Sequence, residues 1–169
     1  MDINLKDLQE GDIINLHLDK EIELDTLNID GRNIKFINPI KYEGDIYKVG
    51  KDKLVNINIY YNYEEACGRC LDLFTSKSKA TLSGRLVENP ELNHDEEDNL
   101  IYYDGEKLDL TENIVETIIL NLPMKPLCSK KCKGLCPECG INLNEDQCNC
   151  ESEYVDPRFE KLKELFPEK

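Results

Sequence analysis

The chain has 169 residues and a formal net charge of −14, from 21 Lys and Arg against 35 Asp and Glu. Its hydrophobic content of 40% suffices for one core, and a surface this acidic repels nucleic-acid backbones as a whole. Any nucleic-acid contact is therefore expected to be local, and a basic protein is the easier partner. No apolar leader and no run of about 20 apolar residues is present, which predicts a cytoplasmic protein outside membranes.

The first half of the chain alternates apolar and polar residues, a pattern typical of β-strands. The clearest strand spans 53–63 and has its apolar side chains on one face: Val55, Ile57, Ile59 and Tyr61. Weaker alternation covers 12–18 and 33–42, with a kink expected at Pro39 because proline donates no hydrogen bond to a sheet. A further strand follows Cys70 and runs to Val87. Several short strands at close spacing predict an antiparallel sheet or a partly open barrel.

The next stretch changes character twice. Residues 88–99 form an acidic loop, which we expect to be solvated. Residues 110–122 then carry apolar side chains at helical spacing, and Pro123 ends the repeat. Asp109 and Glu112 have the spacing of a capping box. The sequence therefore predicts a helix packed on the sheet, and a fold that is α+β but mainly β.

We expect the chain to divide into a mainly β domain, 1–127, and a cysteine-rich zinc-binding segment, 128–169. The second region ends in a short helix, which Asp156-Pro157 starts and Pro167 stops. A helix of about two and a half turns is marginal alone, so it must dock on this chain or on a partner. We expect it to pack on the cysteine-rich segment.

The eight cysteines lie in closely spaced groups, which in a reducing compartment are typical of metal binding. Cys136-Pro137-Glu138-Cys139-Gly140 has the form of a zinc knuckle, because two thiolates on a tight turn can point at one ion and Gly140 can adopt the left-handed conformation. Cys148 and Cys150 complete a site with four thiolates, the ligand set of structural zinc. A disulfide framework would instead require secretion.

The remaining cysteines predict another zinc site: Cys67, Cys70, Cys128 and Cys132. This site closes a loop of roughly 60 residues at an entropy cost that rises slowly with length, while structural zinc offers on the order of 10 kcal/mol. An alternative division groups the cysteines differently, with one site from Cys128, Cys132, Cys136 and Cys139 and a second from the other four. A single occupied site is a third alternative, so the expected cofactor is one or two zinc ions per chain.

The pairing of Cys67 and Cys70 with Cys128 and Cys132 would join two basic segments. In 66–87 and in 125–133, Lys and Arg outnumber the acidic residues. The candidate partner- or RNA-binding residues are Arg69, Lys77, Lys79, Lys130, Lys131 and Lys133. Such a face can bind RNA phosphates locally, or it can merely offset the charge of the thiolates.

No motif in the sequence indicates an enzyme. Four cysteine ligands leave no open position at zinc, and the chain has no nucleophile–base signature and no Gly-rich phosphate loop, which argues against a small-molecule substrate. The one catalytic alternative is thiol–disulfide exchange at Cys67–Cys70. That pair does not open a helix in a βαβ pattern, as a thioredoxin-like motif does.

The order of these motifs resembles a known family. Its parts are Cys67-Gly68-Arg69-Cys70, the helix that runs into Leu122-Pro123, Cys132-Lys133-Gly134-Leu135-Cys136-Pro137-Glu138-Cys139-Gly140, Asn142-Leu143-Asn144 with Cys148 and Cys150, and Asp156-Pro157-Arg158-Phe159. This arrangement is similar to that of the YceD family, the large ribosomal RNA subunit accumulation proteins, in its cysteine-rich form.

The resemblance implies a non-enzymatic ribosome biogenesis factor that supports accumulation of large-subunit (23S) ribosomal RNA. Its expected partners are the pre-large ribosomal subunit, ribosomal RNA and/or a basic ribosomal protein, which an acidic chain could escort. The alternative, from another class, is a zinc-stapled protein-interaction or regulatory module unrelated to ribosomes.

Overall fold

A computed structural model describes residues 3–6, 8, 14–88 and 99–150 of the chain. The elements are β1 (Ile3–Asn4), β2 (Asn15–Ile22), β3 (Thr26–Ile29), β4 (Arg32–Phe36), β5 (Ile40–Val49), β6 (Asp52–Ala66), β7 (Leu73–Glu88), β8 (Leu100–Tyr103), β9 (Lys107–Leu108) and α1 (Thr111–Asn121). No helix among these residues is long and apolar enough to cross a membrane.

Strand β6 is the centre of a seven-stranded sheet. One edge of β6 pairs with β5 and then β4, and its other edge pairs with β7 along almost its whole length. These ladders are antiparallel, whereas β8 runs parallel to the end of β7. Within the described residues the sheet does not close into a barrel, and β1 pairs with β9 separately. The predicted mainly β, antiparallel fold with a helix packed on the sheet is confirmed.

The sheet is interrupted where the sequence predicts a kink. Strand β4 ends at Phe36 and β5 begins at Ile40, so Pro39 lies between two strands that both pair with β6. The N–H of Ile37 still donates to the carbonyl of Asn62 at 3.0 Å, an ordinary hydrogen-bond distance. Because the strands are interrupted at Pro39, β4 and β5 can both pair with β6 although proline cannot donate a hydrogen bond to a ladder.

The core lies between the inner face of the sheet and the helix. Alternate residues of β6 are buried on this face: Val55, Ile57, Ile59, Tyr61 and Tyr63. Ile114 and Ile118 of α1 are fully buried in the same cluster. Burial of these apolar side chains is the main contribution to the stability of the sheet–helix unit.

The helix is slightly shorter than predicted. It covers Thr111–Asn121 rather than 110–122, and its N-cap residue is Leu110, without a side-chain cap. Asp109 Oδ1 instead accepts a hydrogen bond from the N–H of Thr111 at 2.9 Å. The predicted capping box between Asp109 and Glu112 is therefore wrong, because the helix begins one residue later than that motif requires.

A partly buried arginine joins the two chain segments that lead to the cysteines of 67–70 and 128–132. Arg32 Nη2 lies 2.7 Å from Glu65 Oε2, and Glu65 is only 2% exposed. Arg32 Nη1 also donates to the carbonyl of Pro123 at 2.9 Å. Glu65 lies just before Cys67 and Pro123 precedes Cys128, so this contact sets the spacing between the two segments.

Two predicted features fall wholly or mostly outside the described part of the chain. The C-terminal helix, 156–167, lies outside the described residues, as do residues 89–98 of the acidic loop. Of the loop's ends, Glu88 closes β7 and Asn99 lies in the turn before β8.

Candidate metal centres

The first group of thiols lies at one end of the sheet, and we call it the sheet cluster. Its members are Cys67, Cys70, Cys128 and Cys132, whose sulfur atoms all lie within 4.8 Å of one another. Cys67 and Cys70 occupy the connection between β6 and β7, and the other pair belongs to the segment after α1. Cys67 is 0% exposed, and Phe74, Leu127 and Leu135 pack against the group of buried cysteines. The cluster thus fastens the cysteine-rich segment to the sheet.

The second group, which we call the loop cluster, is nearer the surface. Its members are Cys136, Cys139, Cys148 and Cys150, again with all sulfur atoms within 4.8 Å of one another. Cys139 and Cys150 are exposed. The eight cysteines are brought together as in the first of the two divisions considered above, and not as in the alternative.

The distances between thiols suit a tetrahedral metal ion. Cys67 Sγ lies 3.9 Å from Cys132 Sγ, and Cys70 Sγ lies 3.6 Å from Cys128 Sγ. Zinc–sulfur bonds of about 2.3 Å in a tetrahedron place the sulfurs about 3.8 Å apart. The sheet cluster therefore has the dimensions of a four-thiolate zinc site.

Both Cys-x-x-Cys turns have the same backbone geometry. The N–H of the residue after the second cysteine donates to the carbonyl of the first cysteine, at 3.0 Å from Leu71 to Cys67 and at 2.9 Å from Gly140 to Cys136. These two residues have positive φ angles, +64° for Leu71 and +74° for Gly140. The Cys67–Cys70 turn thus has the same knuckle-like backbone as the turn at Cys136, with a leucine where glycine is favoured.

Leu71→Gly is expected to raise the free energy of unfolding of the metal-loaded protein by about 0.5–1 kcal/mol. The left-handed conformation costs leucine about 1–2 kcal/mol, which glycine avoids. The greater conformational freedom of glycine in the unfolded chain cancels roughly half of this gain in stability. Little packing is lost, since Leu71 is 65% exposed. Leu73→Gly is the control, because Leu73 is equally exposed but extended, and it should lose stability. Equal losses in urea unfolding would contradict the interpretation.

Backbone donors surround the sulfur of Cys67. The N–H of Cys128 lies 3.4 Å from it and the N–H of Arg69 lies 3.5 Å from it. Burial by itself raises the pKa of this thiol. The N–H groups of Cys70, Cys128 and Arg69 outweigh burial and lower the pKa to about 6. The turn therefore favours the thiolate, the form that binds metal.

In the loop cluster, backbone N–H groups also lower the pKa of one thiol, and the neighbouring thiols explain why a cation fits the site. The N–H groups of Cys139 and Glu138 donate to Cys136 and lower the pKa of its thiol to about 6. The pKa of Cys150 is instead raised to about 12, first because its thiol shares a hydrogen bond with Cys139. Four adjacent thiols cannot all ionise unless a positive ion neutralises them. A metal ion at the centre resolves this conflict.

Two asparagines join the clusters, and sequence reasoning gave them no role. Asn144 Nδ2 donates to Cys132 Sγ at 3.4 Å, and Asn144 Oδ1 accepts from the N–H of Lys133 at 2.8 Å. The Asn144 contact is the foremost reason that the pKa of Cys132 is lowered. Asn142 Nδ2 donates to Asp72 Oδ2 at 2.7 Å. The signals in the sequence were the turn preference of asparagine and the place of Asn142-Leu143-Asn144 in the motif that resembles the YceD family.

The basic residues fall into two groups. Arg69 Nη1 donates to the carbonyl of Cys132 at 2.8 Å, which places Arg69 beside the segment that carries Lys130, Lys131 and Lys133. All three lysines are exposed. Lys77 and Lys79 lie farther along β7, also exposed, and Lys79 Nζ lies 5.2 Å from the centre of the Tyr60 ring. The sheet cluster therefore joins Arg69 to the lysine-rich segment.

The chain was compared with known proteins. The family described as large ribosomal RNA subunit accumulation protein YceD matches residues 55–166. An uncharacterized protein of Mycobacterium tuberculosis is 34% identical over 103 residues, which cover 59% of this chain and 49% of that protein. A chloroplastic protein of Arabidopsis thaliana, named large ribosomal RNA subunit accumulation protein YCED homolog 1, is 32% identical over 59 residues, which cover 35% of this chain and 18% of that protein.

The matched region includes both Cys-x-x-Cys pairs and all eight cysteines. The chain spans about half the length of the mycobacterial relatives that it matches. No solved structure matches it. Because the family covers well over half of the 169 residues, the chain belongs to the YceD family of large ribosomal RNA subunit accumulation proteins.

Proposed function

We propose that this protein is a non-enzymatic ribosome biogenesis factor, held together by two zinc ions, that supports accumulation of large-subunit ribosomal RNA. It acts by binding RNA phosphates with the basic face around the sheet cluster. We define this face by its members: Arg69, Lys130, Lys131 and Lys133, with Lys77 and Lys79 as an extension along β7. Family membership supports the process, and the arrangement of the site supports the binding mode.

The observation that carries the proposal is the junction at Arg69. The bond from Arg69 to the Cys132 carbonyl, 2.8 Å long, unites basic residues that are distant in sequence. Within the described part of the chain, none of the ion pairs involves Lys130, Lys131 or Lys133. These ammonium groups are free to meet phosphates, although the net charge of −14 restricts such contact to this region.

The acidic remainder of the surface supports a second partner, a basic ribosomal protein. On the outer face of the sheet, Asp19 of β2 lies opposite Glu43 of β5 in the register, and His17 lies opposite Asp45. Lys77 and Lys79 of β7 lie on the same face, and only β6 separates them from β5. Tyr60 of β6 lies between, with its ring centre 5.2 Å from Lys79 Nζ and its hydroxyl donating to Glu43 Oε1 at 2.9 Å. A basic protein on this acidic edge would therefore bind beside the part of the basic face that extends along β7, and not on a separate surface.

Zinc in both clusters supplies structure rather than catalysis. Each set of four thiolates fills the tetrahedral coordination of zinc and leaves no position for a reactive water. The protein's own residues then do the binding: the knuckle N–H groups hold the thiolates, and the lysines contact the partner.

Replacing Lys130, Lys131 and Lys133 together by alanine is expected to weaken binding to fragments of large-subunit ribosomal RNA by tenfold or more. Each lost phosphate contact also lowers the slope of log affinity against log salt, by about 0.7–0.9. Fluorescence anisotropy at several salt concentrations measures both quantities. The control replaces Lys35, Lys48 and Lys51, which changes the net charge equally on other strands and turns. Equal affinities of the two triple variants would reject the basic face as the RNA site.

A further inference from the structure

The two clusters are in direct contact through the loop that joins the ligands of the loop cluster. Residues 140–147 lie between Cys139 and Cys148, and Asn144 lies within this loop. Its side chain reaches outside its own cluster, to Cys132 Sγ at 3.4 Å and to the N–H of Lys133 at 2.8 Å. A ligand of one cluster is thus hydrogen-bonded by the loop of the other.

The orientation of the Asn144 amide is determined by its partners. The N–H of Lys133 can only donate, so the atom facing it is the carbonyl oxygen. The amide nitrogen then faces Cys132 Sγ and also donates to Asn142 Oδ1 at 2.8 Å. An N–H donor favours a sulfur that accepts, which is the deprotonated, metal-bound form of cysteine.

Several hydrogen bonds hold the loop, including those from the N–H of Cys136 to the carbonyl of Ile141 at 2.8 Å and from Asn142 Nδ2 to Asp72 Oδ2 at 2.7 Å. Asn142 shapes it locally, since its side-chain oxygen accepts from the N–H of Asn144 at 3.0 Å. Leu143 donates to the carbonyl of Gly134 at 2.9 Å, which lies between the two clusters in sequence. Ligation of Cys139 and Cys148 to one ion closes both ends of the loop. Metal ligation thus adds to the hydrogen bonds of the loop and lowers the entropy cost of holding the Asn144 side chain against Cys132.

We infer that a metal ion in the loop cluster strengthens metal binding by the sheet cluster, and that Asn144 is the positioning residue that couples the two sites. The coupling rests on the proposed metal binding. It makes the loop cluster a control element for the basic face, because Arg69 donates to the carbonyl of Cys132 and the N–H of Lys133 donates to Asn144 Oδ1. By linkage, metal in the sheet cluster must strengthen the loop cluster by the same factor.

The test is a cobalt titration of the full chain against a competing chelator, since four-thiolate cobalt has a visible spectrum. The variants are Asn144→Ala, Asn144→Asp, the double variant Cys148→Ser with Cys150→Ser, and Gln147→Ala as the matched loop control. We expect Asn144→Ala to weaken the sheet cluster about 10- to 100-fold, as is usual for groups that bond a metal ligand. Asn144→Asp should weaken it more, because a carboxylate repels the thiolate, and Gln147→Ala should leave it unchanged.

The double cysteine variant separates coupling from a local effect. It should lower the affinity of the sheet cluster about as much as Asn144→Ala, and adding Asn144→Ala to it should cost little more. Unchanged affinity of the sheet cluster in Asn144→Ala, or in the double cysteine variant, would overturn the coupling and leave the metal sites standing. Failure of the wild-type chain to take cobalt in either cluster would overturn the metal sites and the coupling together.

Discussion

Cys67→Ser is expected to lose the metal ion of the sheet cluster and to release the cysteine-rich segment from the sheet. Cys67 is fully buried, accepts two backbone N–H groups at 3.4 and 3.5 Å, and lies 3.9 Å from Cys132 Sγ. A serine hydroxyl in its place is a poor zinc ligand and carries no negative charge at neutral pH. Structural zinc contributes on the order of 10 kcal/mol, far more than any single contact that holds residues 126–150.

The sheet itself is expected to survive this change. Among the described residues its core, around Ile57, Ile59 and Ile114, forms a buried cluster separate from that of Cys67, Cys70 and Cys132, and it is stabilised by apolar burial. Cys67→Ser should therefore keep the far-UV circular dichroism of the wild type, while elemental analysis shows one zinc ion or fewer. Limited proteolysis should cut the chain between 126 and 150. Wild-type protein treated with chelator should behave alike, and added zinc should restore only the wild type.

Cys139→Ser is the comparison, because it removes an exposed ligand of the loop cluster and leaves the sheet cluster complete. At zinc concentrations that saturate the sheet cluster, this variant should lose one ion but keep Pro126 to Cys132 protected from protease. Two zinc ions and full protease resistance in Cys67→Ser would show that the sheet cluster does not hold the segment in place through metal.

Gly44→Ala is expected to destabilise the sheet by about 3 kcal/mol or more, a large part of the roughly 5–15 kcal/mol by which an ordinary domain is stable. Gly44 lies in the middle of β5, opposite Ile57 of the central strand. A Cβ atom here would lie 2.6 Å from the Cα of Ile57 and would also overlap the carbonyl oxygen of Asn56. Both are backbone atoms of β6, which is paired on both edges and cannot shift.

Gly50→Ala is the matched control in the turn between β5 and β6. Its φ is +62°, but no atom lies within 4 Å of an added Cβ, so only the left-handed conformation is penalised, by about 1 kcal/mol. Since the chain has no Trp, urea unfolding is followed by far-UV circular dichroism. Similar midpoints for the two variants would mean that β5 and β6 do not approach each other at Gly44 as described.

The sheet could be predicted where its signal is local. The alternation of Val55, Ile57 and Ile59 marks β6 because one face of that strand is buried and the other is not. Pro39 indicates a break for a covalent reason that holds in any fold. The pairing of β4 beside β5 on the same edge, and the parallel addition of β8 to β7, depend on tertiary contacts that leave no periodic trace in the sequence.

The candidate site divides in the same way. Cys-x-x-Cys spacing followed by a glycine predicts a knuckle from local sequence alone, and Gly140 adopts the expected left-handed conformation. The left-handed Leu71 was missed, because nothing in its side chain favours that geometry and only the turn imposes it. The bond of Asn144 to Cys132, and the buried contact of Arg32 with Glu65, join residues from different segments. Such pairings follow from the fold and could not be read from either segment alone.

The placement of one knuckle at the tip of a hairpin has a consequence for the order of folding. Strands β6 and β7 form the longest ladder, from Lys53 opposite Leu86 to Ala66 opposite Leu73, and Cys67 and Cys70 lie in the connection that closes it. Contacts this local in sequence form quickly, so the hairpin is expected to be an early nucleus that needs no metal. Cys67 and Cys70, two of the four ligands of the sheet cluster, are then in place before the segment with Cys128 and Cys132 docks on the sheet. Metal binding is then expected to be a late step, after the sheet has folded. When zinc is scarce, we expect molecules to accumulate in which the sheet is folded but the cysteine-rich segment is not docked on it.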